Sequence, residues 1–107
     1  MTFYIKRRDT SPAFRAILKD AAGVAVDITG NLGVRFHLFS KYGVQIVDAA
    51  ATVNDAAAGD VQYEWQTADT VLAGIFKAEF EVTYSDGTIE TFPNNGYEKV
   101  YIDEDLV

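Results

Sequence analysis

The chain has 107 residues, 49% hydrophobic and 23% charged, which is the usual size of one domain around one core and too apolar for a disordered tail. The absence of cysteine excludes disulfides, thiolate nucleophiles and Cys-ligated metals, and a single histidine, His37, excludes a multi-histidine metal cage within one chain. A net charge of −7 argues against general nucleic-acid binding, which needs a basic face.

In chain order, the first expected element is a strand over residues 3–8, in which Phe3-Tyr4-Ile5 precedes Lys6-Arg7-Arg8. Charges that follow the apolar residues are the reverse of a secretory signal. A second strand has Phe14, Ala16 and Leu18 alternating with Arg15 and Lys19, with Ile17 as the exception. The turn Asp20-Ala21-Ala22-Gly23 leads to a strand over 24–28, and Gly30-Asn31-Leu32-Gly33 leads to Val34-Arg35-Phe36-His37-Leu38. Alternation there puts Phe36 inward and Arg35 and His37 outward. After Ser40-Lys41-Tyr42-Gly43 a strand is expected over 44–53. Asp55-Ala56-Ala57-Ala58-Gly59 then reads as the turn chemistry of 20–23 used again. Val61-Gln62-Tyr63-Glu64-Trp65 alternates with Trp65 inward.

Residues 67–74 predict one or two helical turns crossing over one end of the sheets, with Thr67 as N-cap, Asp69 in the first turn and Gly74 as the stop. The most regular strand is residues 76–84, apolar at every second position. Asp86-Gly87 predicts a type I′ hairpin pairing Thr83 with Glu90 and Tyr84 with Ile89. Strands over 88–92 and 97–102 follow, on either side of Pro93-Asn94-Asn95-Gly96. Turns every 8–12 residues or so predict an all-β antiparallel sandwich of about eight strands, one domain over residues 1–107.

The longest apolar run, residues 71–76, is far short of the roughly 18 residues of a membrane-spanning helix. Charge is uneven: residues 1–41 hold seven basic groups and three acids, whereas the remainder holds Lys77 and Lys99 against thirteen acids. Such a chain could associate head to tail, or the asymmetry could vanish as strands from both parts mix in one sheet.

Chemistry has few footholds. His37 lies mid-strand with no nucleophile or orienting acid visible. Glu79, Glu81 and Glu90 should share one sheet face, but a solvated face does not raise a carboxyl pKa. Asp103-Glu104-Asp105 could clamp calcium or form an acidic tail, and Lys6-Arg7-Arg8 could meet nucleic acid or an acidic partner. Phe3, Tyr4, Phe39, Tyr42, Phe92, Tyr97 and Tyr101, at strand ends and turns, could anchor an interface or cover the ends of the core, and Tyr42 or Phe92 could be stacking platforms. The partner-binding candidates are therefore Lys6, Arg7, Arg8, Tyr42, Phe92, Asp103, Glu104 and Asp105, with no catalytic residue, cofactor or metal expected.

An ordered series of segments resembles the immunoglobulin-like N-terminal domain of the phage baseplate upper protein family. It runs through Asp9-Thr10-Ser11-Pro12, Leu18-Lys19-Asp20-Ala21-Ala22-Gly23, Val26-Asp27-Ile28-Thr29-Gly30, Val34-Arg35-Phe36 and Gly59-Asp60-Val61-Gln62-Tyr63-Glu64-Trp65. It continues through Asp69-Thr70, Gly74-Ile75-Phe76-Lys77-Ala78-Glu79-Phe80 and Asp86-Gly87-Thr88-Ile89-Glu90-Thr91-Phe92-Pro93. The resemblance covers roughly residues 9–102 and implies an immunoglobulin-like sandwich without catalytic residues. It also implies a virion location and other virion structural proteins as partners, with oligomerisation in the particle and neither nucleic acid nor membrane bound. That family's helical linker and receptor-binding platform have no counterpart in these 107 residues. Three roles stay open: a tail or baseplate adaptor, a capsid decoration protein, or a piece of a longer protein. A carbohydrate- or receptor-binding module is the alternative of another class.

Overall fold

The computed structural model describes residues 2–105. Nine strands are present: β1 (Thr2–Lys6), β2 (Phe14–Ile17), β3 (Gly33–Ser40), β4 (Gln45–Ala50), β5 (Thr52–Asp55), β6 (Asp60–Tyr63), β7 (Gly74–Thr83), β8 (Ile89–Phe92) and β9 (Glu98–Asp103). The larger sheet has the order β1-β9-β7-β3-β4, with β8 also paired to β7, and the smaller has the order β2-β6-β5. The result is the all-β, immunoglobulin-like sandwich that the turn spacing and the resemblance predict.

Period-two alternation explains which faces meet. Phe76, Ala78, Phe80 and Val82 of β7 are buried, as are Val34, Phe36 and Leu38 of β3. From the smaller sheet Phe14 and Tyr63 enter the same core, joined by Trp65 just beyond β6. Phe36 stacks on Tyr63 with ring centroids 4.3 Å apart, and Phe14 meets the edges of Phe36 and Phe80 at 5.7 and 5.8 Å. Ile17, the exception to alternation, points outward and is exposed.

Four expectations about strands and helix change. First, β1 pairs with β9 in parallel, from Thr2↔Lys99 to Lys6↔Asp103, so the sandwich is not wholly antiparallel. Second, residues 24–28 form only the bridge Lys19↔Ala25. Beyond it Asp27 accepts hydrogen bonds from Thr29 N and Oγ1, a local turn that competes with a ladder, and Ile28 is buried with its N–H donating to Ala56 O. Third, the run 44–53 divides: β4 lies beside β3, and after Ala51 the chain changes sheet to place β5 beside β6. Fourth, the helical segment is a single 3₁₀ turn over Thr67–Thr70 whose N-cap is Gln66, with Asp69 accepting from Gln66 N at 2.8 Å and Tyr63 Oη donating to Asp69 at 2.5 Å. Buried Thr70 donates to Asp9 O, which fixes this turn against the chain after β1.

The β7–β8 hairpin differs from expectation by one residue. Gly87 N donates to Tyr84 O and Tyr84 N to Thr88 O, a three-residue loop with only Gly87 at positive φ, so Thr83 pairs with Ile89. The same pattern recurs at Asp20–Val24 and Ser40–Val44, with Gly23 and Gly43 in the left-handed position. Asp55–Gly59 is a different device. Gly59 caps a 3₁₀ turn at φ 66°, and a Cβ there would lie 2.6 Å from Val26 O and 3.0 Å from Leu18 O.

These environments separate two glycine substitutions. Gly87 has open space around it, so Gly87→Ala should cost about 1 kcal/mol from the left-handed backbone alone. Gly59→Ala must also push backbone apart and should cost roughly twice that or more, read as a larger fall in the urea midpoint.

Candidate docking surface

Parallel pairing of β1 with β9 brings the basic run and the acidic tail together. Lys6 Nζ lies 3.3 Å from Asp103 and 3.4 Å from Glu104 O, Arg7 lies 3.3 Å from Glu104, and Arg7 N donates to Asp103 O. Arg8 takes φ 69° and donates its N–H to Thr70 O, while Asp105 is half-buried. Lys6, Arg7, Asp103 and Glu104 thus form an intramolecular clasp. The Lys6–Asp103 pair is solvent-exposed and worth under about 1 kcal/mol, while Arg7 is half-buried.

The other basic groups of the first 41 residues follow a similar course. Arg15 forms a two-pronged pair with buried Asp60, which also accepts from Asn54, and Arg35 pairs with Asp48 at 2.7 Å. Strand mixing therefore internalises much of the charge asymmetry. Among the described residues, Arg8, Lys19, Lys41, Lys77 and Lys99 have no carboxylate within 4 Å.

His37 does have an acid beside it, which the sequence did not reveal: its Nε2 is 3.1 Å from Asp48 Oδ1. That same oxygen accepts from Arg35, whose hydrogen bond is the main reason the Asp48 carboxyl is held below the ordinary aspartate range. The trio is a cross-strand clamp between β3 and β4. Glu79 and Glu81 share the outer face of β7, but the hairpin register puts Glu90 opposite Val82 and so on the face of Phe92. Glu90 accepts from Tyr84 Oη at 2.6 Å, and burial, with that bond second, pushes the Tyr84 hydroxyl up to about 12.

The two aromatic candidates part company. Phe92 is 2% exposed and fills the core opposite Phe80, so it is no stacking platform: its pairing on β8 turns it inward. Tyr42 is 82% exposed at the tip of the β3–β4 turn, with Lys41 Nζ 5.2 Å from its ring centre. Beside it Ser40, Tyr42, Leu72, Ile75 and Phe76 line an apolar groove of about 490 Å³. On the outer face of the larger sheet the apolar surface continues as a row, with Tyr4 opposite Tyr101 and Tyr101 opposite Ile75 on three adjacent strands. Tyr4 and Tyr101 were among the aromatics that could anchor an interface, whereas Leu72 and Ile75 were missed by sequence reasoning. Their signal was present at Ile75, an apolar residue in phase with outward Lys77 and Glu79.

The family model of the BppU N-terminal domain matches residues 8–92, most of the chain. The chain belongs to this family. Membership puts it with the phage baseplate structural proteins, virion components that interact with other virion proteins. No curated protein matches the chain. Among solved structures, CopC from Methylosinus trichosporium OB3b is 14% identical, with 90% of this chain and 98% of that chain covered and a TM-score of 0.48. The BppU N-terminal match takes in β2 to β8 and the Tyr42 groove, while β9 lies beyond it.

The carboxyl network sets an acid limit. Asp48 and Asp60 are lowered chiefly by hydrogen bonds from Arg35 and Arg15, and Asp27 and Asp86 by those from Thr29 and Thr88. Groups that ionise more readily when folded stabilise the fold above the ordinary aspartate range, and that contribution is lost as pH falls through it. The melting temperature should therefore drop as pH is lowered through that range, and Asp48→Asn should make the drop shallower; a flat profile would contradict the assignment.

Proposed function

We propose that this protein is a docking block of the phage baseplate, an adaptor that attaches to neighbouring virion proteins through the Tyr42 end of the sandwich and catalyses nothing. The observation that carries the reading is a largely exposed tyrosine beside an apolar groove, in a chain of the BppU N-terminal domain family. Such a site has the anatomy of an interface: a rigid aromatic anchor, an aliphatic floor supplied by Leu72 and Ile75, and a charged rim supplied by Lys41. The Lys6–Asp103 clasp lies at the same end of the sheet and would lend polar contacts at the margin. Repetition of the contact around a symmetric particle gives strength that one small interface lacks.

Tyr42→Ser combined with Leu72→Ser changes side chains that are exposed, so the fold and melting temperature should stay unchanged. The variant should be depleted at least tenfold from purified particles, as a loss of ~1.4 kcal/mol or more at an anchor implies. Equal incorporation would overturn the reading. If particle content held while binding on a glycan array was lost, the carbohydrate-binding alternative would replace it.

A further inference from the structure

The larger sheet carries two unlike patches, one on its outer face and one at its far end. Near the Tyr42 end, the row Tyr4, Tyr101 and Ile75 lies beside a second row in which Lys77 is directly opposite Lys99. Like charges in that position repel, and no carboxylate lies within 4 Å of either lysine among the described residues. Lys77 is placed over the Tyr97 ring at 5.0 Å, and the nearest acid along its strand, Glu79, sits opposite His37. The patch is thus an apolar strip beside unneutralised positive charge, in a protein of net charge −7.

The far end is its complement. Leu32 and Ile89 are 68% and 61% exposed, and both adjoin Thr83: Leu32 N donates to Thr83 O, and Ile89 pairs with Thr83. The acids at this end are Asp86, in the β7–β8 loop, and Asp27, next to Ile28, whose carbonyl accepts from Asn31 N, whereas Glu90 faces inward. The hydroxyl and backbone N–H of Thr29 and of Thr88 hold Asp27 and Asp86 ionised. Eight residue steps along β7 separate Ile75 from Thr83, a span of about 26 Å, so the two patches of one molecule cannot reach each other.

We infer that the protein associates with a second copy of itself, the acidic end bearing Leu32 and Ile89 seating on the Tyr4–Tyr101–Ile75 strip and the Lys77/Lys99 pair of the next copy. The contact joins unlike patches, so it repeats from copy to copy and builds a ring or a filament. The inference rests on the docking reading above and specifies the partner of this face.

The test is the mass of the purified full chain by sedimentation and light scattering. Wild type should shift from monomer to higher mass as concentration rises, and added salt should reverse the shift. Leu32→Lys with Ile89→Lys, and separately Lys77→Glu with Lys99→Glu, should each stay monomeric while their equimolar mixture regains higher mass, because the reversed end then faces a reversed patch. Should either pair of changes prevent folding, judged by circular dichroism, Ile75→Ser alone and Leu32→Ser alone should still weaken self-association at least fivefold. Wild type that stays monomeric at millimolar concentration, or a mixture that never gains mass, would overturn the inference. If that wild type still enters particles through Tyr42 and Leu72, docking stands and the partner of the row is another virion protein.

Discussion

The aromatic contact between the two sheets is the constraint on which the rest depends. Phe36 of β3 stacks on Tyr63 of β6, Phe14 of β2 wedges against Phe36 and Phe80, and Phe3 lies flat on Phe14 at 4.9 Å. Rings of this size bury more area than any other side chains, and their offset and edge-on geometries fix orientation as well as separation. Because both sheets present only alternate residues to this cluster, the outward residues are set by default. A rigid inner face therefore yields a rigid outer one.

Much of the architecture was legible because the same alternation operates in the sequence. β3, β6 and β7 read directly from it, together with the inward positions of Phe36 and Trp65. Residues 24–28 were misread because Val24, Val26 and Ile28 have strand composition, while Asp27 supplies a competing local turn. The break within 44–53 has no signal, since Ala50 and Ala51 suit either sheet. The hairpin was misjudged by one residue because Asp-Gly serves two turn types, and a slip of one carried Glu90 from the outer face to the inner.

The candidate surface was less legible than the fold. Tyr42 could be found because a turn signal flanks it, yet Phe92 looked equivalent in sequence and is a core residue. Whether a basic run is free depends on which strand lies next to it. Lys6 and Arg7 are answered by acids almost the whole chain length away, a pairing that only the tertiary arrangement specifies. What distinguishes the outer row is an excess of apolar character at positions where alternation calls for polar residues. That excess matches a role performed by surface contact, the mode of a baseplate structural protein.

The parallel pairing of β1 with β9 has a consequence for how the chain reaches its fold. Every other ladder joins strands far closer in sequence, whereas this one closes a loop of nearly a hundred residues. Loop-closure entropy makes such a contact late in folding. During synthesis β1 emerges ahead of the other eight strands described, and its edge waits unsatisfied until β9 follows. The first of these strands is thus the last to be locked, and until then its hydrophobic side is open to misassociation.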